Sequence, residues 1–116
     1  MQYTTFLDLK GLVIEKITGM VAESEEINFE TKCGKKFKMF HDQQCCELVV
    51  VESVVGNVSD LIGSEILMAE ESTSNADTPD STWTFYKLAT IKGYVDIRWI
   101  GKSNGYYSES VDFALL

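Results

Sequence analysis

The chain reads as a mostly β protein: a single small domain of antiparallel sheet, a sandwich or a curled sheet, with one or two short helices. Three observations predict this. Runs of alternating apolar and polar residues, the period of a half-buried strand, recur along the sequence. Short breaks containing glycine join several of them, as in hairpins. The most apolar stretch, 47–55, is rich in β-branched residues, as expected of an interior strand covered on both faces. With 116 residues, the chain suits one domain, 1–116, that buries about two thirds of the surface its unfolded form would expose.

Taken in order, Phe6, Leu7 and Leu9 fit one helical turn stopped by Gly11. Val13, Ile14 and Ile17 lead to an acidic turn, Glu23-Ser24-Glu25-Glu26. Residues 27–32 alternate, Cys33-Gly34 interrupts, and 35–41 alternate again with Phe37, Met39 and His41 on one face; this is a hairpin. Asn57-Val58-Ser59-Asp60 resembles a capping box opening a short helix that ends at Gly63. Residues 64–69 read as a strand, and 70–81, polar and holding the sole proline Pro79, as an exposed acidic loop. Strands over 82–90, 93–100 and 106–113, separated by Lys92-Gly93 and Ser103-Asn104-Gly105, predict a three-stranded meander. One of its faces would carry Trp83, Phe85, Ala89, Val95, Ile97, Trp99, Val111 and Phe113. The other would collect Tyr86, Tyr94, Asp96, Arg98, Tyr106 and Ser108.

The net charge of −8 argues against direct nucleic-acid binding and against anionic membranes, because both need Lys and Arg. No apolar run approaches the ~20 residues of a membrane-spanning helix. The opening residues carry no secretory pattern, so a reducing cytoplasm is expected. Cys45 and Cys46, placed in a strand, would point to opposite faces.

Chemistry-bearing patterns are few. His41, Cys45, Cys46 and Cys33 offer nitrogen and sulfur, but without a Cys-x-x-Cys pair neither a metal site nor a cofactor is expected. The sequence lacks Gly-x-Ser-x-Gly, Walker and His-Glu-x-x-His patterns, so no catalytic residue is assigned. A thiol–imidazole pair of His41 and Cys45, or Pro79-Asp80 with Asp96-Ile97-Arg98 as a loose nuclease pattern, would underlie a small hydrolase or nuclease. Binding chemistry is richer. Arg98 supplies a planar fork for phosphate, Lys102 a further charge, and Ser103-Asn104-Gly105 a turn whose N–H groups suit an anion. Trp83, Tyr86, Tyr106 or Tyr107 would stack on a base, while His41 or Gln43 would hydrogen-bond the remainder.

Two blocks carry a resemblance: 40–47 with the Val-rich run and Asp60-Leu61-Ile62-Gly63-Ser64 after it, and 81–87 through Lys92-Gly93, Arg98-Trp99, 103–108 and Val111. Over 12–113 they resemble a family of small tailed-phage and prophage proteins catalogued as a domain of unknown function. Gln44 stands where that family often has an acidic residue. The resemblance implies a bacterial host cytoplasm during infection, and no chemistry. In that setting the residues predict a phage-encoded counter-defence protein that binds without catalysis. Its most concrete form is a homo-oligomer that sequesters a nucleotide-derived host immune signal. The alternative is an acidic interaction protein, with 23–26 and 70–80 occupying a basic nucleic-acid-binding surface on a host defence enzyme.

Overall fold

The computed structural model describes residues 1–75 and 80–116. Nine strands occur among the described residues: β1 (Gln2–Tyr3), β2 (Ile14–Thr18), β3 (Glu26–Thr31), β4 (Lys36–Phe40), β5 (Leu48–Val55), β6 (Met68–Asn75), β7 (Ser81–Thr90), β8 (Gly93–Lys102) and β9 (Asp112–Leu115). Two 3₁₀ turns, Phe6–Leu9 and Val58–Leu61, are the helical pieces. The strands form two antiparallel sheets, ordered β1-β9-β4-β3-β2 and β5-β8-β7-β6. Both contribute to one apolar cluster. Ile14, Ile27, Phe29, Phe37, Met39 and Phe113 come from the first, and Val49, Val51, Tyr86, Leu88, Val95, Ile97 and Trp99 from the second. The fold is therefore a two-sheet, mostly β domain, with the core where the alternating apolar positions meet.

Local signals explain most elements. The β3–β4 hairpin pairs Phe29 with Phe37 and Ile27 with Met39, and Gly34, at φ 91°, takes the left-handed step of its turn. Asn57 caps the second 3₁₀ turn, accepting from Ser59 N at 3.1 Å. Asp60 does not complete a capping box in the expected way; its carboxylate lies against Gly93, where an added Cβ would be 2.8 Å from Oδ2.

Five expectations need correction. The run at 47–55 is not an interior strand. β5 is the last strand of its sheet, burying Val49 and Val51 while Leu48 and Val55 are exposed. Its outer edge is instead met by the 23–24 turn, where Glu23 N donates to Val51 O at 2.7 Å and Val51 N to Ser24 O at 2.9 Å. The segment 70–81 is not wholly a loop: residues through 75 lie in β6, paired from Met68↔Ala89 to Asn75↔Thr82, and β7 starts at Ser81. Only 76–79, with Pro79, fall outside the described residues. Residues 64–67 precede β6, joined to the fold by the Val13↔Glu65 bridge.

The third meander strand is also misplaced. After β8 the chain leaves the sheet, crosses over 103–111, and enters the other sheet as β9, where Phe113 pairs with Met39 and Ala114 with Lys38. A hairpin at Asn104-Gly105 is absent because the Ser103 side chain is held by Glu109, which turns the chain across the sheet end. The parity of β7 is inverted as well. Thr84, Tyr86, Leu88 and Thr90 face the core, opposite Trp99, Ile97, Val95 and Gly93, while Trp83 and Phe85 join Arg98 and Asp96 on the outer face. Two inward threonines made the opposite parity look the more apolar one.

Candidate functional site

The outer face of the β5-β8-β7-β6 sheet holds a hollow of about 740 Å³, whose lining includes Val55, Glu70, Phe85, Lys87, Asp96 and Arg98. Strand register builds it: Phe85 sits opposite Arg98 and Ser72, and Lys87 opposite Asp96 and Glu70. A bulge in β5 completes it. The register slips between Val51 and Ser53, so Glu52 is the extra residue, and Val54 still turns inward opposite Ile97. Glu52 is thereby aimed at Arg98, whose Nε donates to Oε2 at 2.7 Å. The guanidinium lies 4.7 Å from the Trp83 ring centroid, in cation–π contact. Its hydrogen bond to Arg98, helped by one to Ser53, holds the Glu52 carboxyl below its ordinary pKa. Lys87 and Asp96 pair at 3.7 Å. Both pairs are half-exposed, with Arg98 at 42% and Glu52 at 35%, so each contributes little and exchanges readily with a competing charge.

The other sequence-predicted binding residues are elsewhere. Tyr86 is 3% exposed, its ring 4.7 Å from that of Phe6, and burial, then the Glu71 carboxylate, push its phenol pKa far up. It is a core residue whose edge reaches the hollow, not an open stacking platform. Lys102 lies four positions beyond Arg98 on β8, about 13 Å along a strand. Its neighbours use their donors internally: Ser103 N bonds Asp80 O at 3.0 Å, Gly105 N bonds Ser103 Oγ at 2.9 Å, and Tyr106 N bonds Asn104 Oδ1 at 2.9 Å. Glu109 faces the same turn, accepting from Thr82 Oγ1 at 2.7 Å and from Ser103 Oγ. An anion would meet a carboxylate there. Tyr106 is 83% exposed at the turn. Tyr107 lines a second hollow of about 500 Å³ with Glu71, Thr82 and Glu109, and His41 and Gln43 a third of about 290 Å³ with Glu25, Glu26 and Lys38. Of the predicted set the structure thus joins Arg98 to Trp83, with the edge of Tyr86 at the same hollow, and leaves His41 and Gln43 together at another. It adds Phe85, Lys87 and Glu52, of which Glu52 had a signal in the sequence, as the one charge inside the β-branched run.

Residues 9–113 match the model of a family described as a domain of unknown function, DUF7448. The chain belongs to this family. No curated protein and no solved structure matches it.

The DUF7448 chain has its most buried polar chemistry in the 41–47 segment, which connects β4 to β5. Among the side chains, His41 is 3% and Glu47 0% exposed. The imidazole Nδ1 donates to Ser110 O at 2.7 Å and Nε2 to Glu47 Oε2 at 2.7 Å, so with acceptors on both nitrogens the ring is imidazolium. Burial works against that charge, but the bonds to Glu47 and Ser110 prevail and the pKa of His41 rises. Glu47 also accepts Gln44 N and Cys45 N, each at 2.9 Å. Its hydrogen bond to His41, outweighing burial and assisted by those amides, holds its pKa at about 2. Gln43 Nε2 donates to Glu47 O at 2.6 Å.

These contacts bear on the catalytic readings. With both His41 nitrogens engaged, the imidazole is not a base for Cys45. Asp96 is opposite Lys87, seven positions from Asp80 along β7, a separation of about 23 Å. Those carboxylates do not share a metal ion, and no group of three or more His, Cys, Asp or Glu suited to a metal occurs among the described residues.

Proposed function

We propose that this DUF7448 protein acts by non-covalent binding, and that the ligand is a small nucleotide-derived molecule held against the outer face of the β5-β8-β7-β6 sheet. The observation that carries this reading is the hollow of about 740 Å³ in which Phe85, Arg98 and Lys87 converge. That volume is in the range of small-molecule sites, and an aromatic wall beside two cations suits a base carrying an anionic group. Glu52 and Asp96 orient the two cations and yield them to phosphate, because half-exposed pairs exchange cheaply. The lining also carries Glu70, Glu71 and Asp96, so a singly charged nucleotide is favoured over a polyphosphate. In an infected bacterial cytoplasm, the setting implied by the resemblance to phage proteins, holding such a molecule would withdraw a host immune signal. Val55, Phe85 and Tyr94 are exposed apolar residues on or near this face, and a second copy laid over it would enclose the ligand.

Calorimetry against a panel of cyclic nucleotides and ADP-ribose-type molecules tests the reading. One ligand per protomer, recovered chemically unchanged, is expected, with binding weakened at least tenfold by Arg98→Ala and by Phe85→Ser. No heat from any member of the panel removes the proposal.

The competing reading, an acidic protein that occupies a basic surface on a defence enzyme, draws on exposed Glu23, Glu25 and Glu26 at the β2–β3 turn. Inhibition that falls steeply with salt and disappears on neutralising those residues would favour it.

A further inference from the structure

Cys45 and Cys46 do not point to opposite faces as strand neighbours would. They lie in the 41–47 crossover, both are exposed, and their sulfurs are 3.0 Å apart, the Cys45 thiol donating to Cys46 Sγ. The backbone explains the convergence. Gln44 N and Cys45 N both donate to the buried Glu47 carboxylate, and Gln43 Nε2 bridges to Cys45 O at 3.1 Å and Glu47 O at 2.6 Å. The loop is wrapped around one carboxylate, and the wrapping turns both thiols outward on one side. Interaction with Cys45 raises the pKa of the Tyr107 phenol, which flanks the pair. Cys33, also exposed, is on the β3–β4 turn and takes no part in this arrangement.

We propose that Cys45 and Cys46 form a chelating dithiol site for one soft, trivalent, thiophilic centre of the arsenic(III) type. Two rival uses of adjacent thiols are disfavoured by geometry. A disulfide needs its Cα atoms about 4.4–6.8 Å apart, whereas consecutive Cα atoms across a trans peptide are about 3.8 Å apart. The oxidised form is therefore strained and easily reduced. Linear or tetrahedral metal ions are disfavoured by the bite. Sulfurs 3.0 Å apart, each bonded at about 2.3 Å to a common centre, subtend an angle of about 80°. Zinc requires the wider tetrahedral angle, and a two-coordinate soft ion a nearly straight one. A pyramidal trivalent centre accepts a narrow angle. Capture from an organoarsenic(III) oxide forms two As–S bonds, consumes both S–H protons and releases the oxide oxygen as one water, with no change of oxidation state. Because the pair is pre-positioned, the second bond is intramolecular and strengthens capture about 10²–10⁴-fold over a single thiol.

The site is independent of the ligand hollow on the β5-β8-β7-β6 sheet, so its failure leaves that reading untouched. Freshly reduced full-length protein is titrated with phenylarsine oxide, then alkylated with iodoacetamide and weighed intact. The expected result is one arsenical per chain and, of the three cysteines, only Cys33 alkylated. Ethanedithiol should strip the adduct while excess mercaptoethanol leaves it in place. Cys33→Ser retains the adduct; Cys45→Ser and Cys46→Ser, each checked for an unchanged circular dichroism spectrum, lose the tight form. Three alkylated thiols, an adduct that mercaptoethanol removes, or protection of 45 and 46 accompanied by the loss of two hydrogens, each overturns the proposal; the last identifies a disulfide instead.

Discussion

Truncating Phe113 tests where the C-terminal segment goes. In the two-sheet arrangement Phe113 stacks on Phe37 with ring centroids 5.3 Å apart, meets Phe6 edge-on at 5.8 Å and Phe29 at 6.2 Å, and is 6% exposed. Phe113→Ala removes a buried ring and leaves a void among three others, at a cost of about 3–5 kcal/mol. For a domain of 116 residues, where about 4 °C of Tm is lost per kcal/mol, the melting temperature should fall by about 12–20 °C. Phe113→Leu, which keeps much of the apolar volume, should lose less. Tyr106 is the internal control. A continuous 106–113 strand would pack Tyr106 in alternation with its neighbours, whereas here it is 83% exposed, so Tyr106→Ala should change stability by about 0.5 kcal/mol or less. Scanning calorimetry on the four proteins reads both numbers. A Phe113→Ala loss under about 5 °C, or a Tyr106→Ala loss as large as that of Phe113→Ala, would refute the transfer of β9 to the other sheet.

The buried His41–Glu47 pair predicts a bounded pH window. Glu47, lowered from 4.5 to about 2, contributes stability that is complete above pH 4.5 and lost as the pH falls towards 2. His41, raised above 6.5, contributes stability that is complete below pH 6.5 and lost as the pH climbs through its folded value. Thermal melts should therefore show this pair's full effect between pH 4.5 and 6.5; His41→Gln should flatten the alkaline limb and Glu47→Gln the acid one. Gly56→Ala should destabilise strongly, because Gly56 has φ 120° and a Cβ there would meet Tyr94 O at 2.5 Å; a denaturation midpoint equal to wild type would contradict the turn geometry. Asn57→Ala, losing the cap on Ser59 N, should cost about 1 kcal/mol in urea titration.

The parts of this fold legible in the sequence are those decided by nearest neighbours. Alternation through Phe29 and Phe37 and the Gly34 turn between them were enough to mark the β3–β4 hairpin. The capped turn at Asn57 and the β7–β8 pairing were equally local. What failed depended on distant partners. Whether the 47–55 run lies inside its sheet is a property of strand order, and β5 falls at an edge. Which face of β7 points inward is decided by Trp99 and Ile97 across the ladder, which bury Thr84 and Tyr86 at the expense of the larger Trp83 and Phe85. Of the binding set, Arg98 and Trp83 were legible because an arginine and an indole in a strand are conspicuous. Lys87 and Phe85 were not, since their membership rests on the register that places them opposite Asp96 and Arg98.

The position of the only histidine follows from topology and explains why its side chain and that of Glu47 are buried in an otherwise exposed segment. The chain passes from the first sheet to the second at 41–47 and returns at 103–111, because β4 and β9 are neighbours in one sheet and β5 and β8 in the other. The two crossings therefore run side by side at the same end of the domain. Neither is in a ladder, so each has backbone groups to satisfy away from any strand partner. His41 does this across the gap, donating to Ser110 O in the second crossing and to Glu47 in its own. Asp42 N adds a bond to Asp112 Oδ2 at 2.9 Å. A charged pair at this joint makes more backbone hydrogen bonds than a neutral one, the imidazolium donating and the carboxylate accepting, which offsets the desolvation that would otherwise forbid it. The same requirement folds residues 43–46 around Glu47 and brings the two sulfurs together, so the dithiol site is a consequence of how the two sheets are tied. Replacing Glu47 with Gln should consequently loosen the thiols: the arsenical should still bind each of them singly, but ought to lose its resistance to mercaptoethanol while Cys45 and Cys46 are both intact.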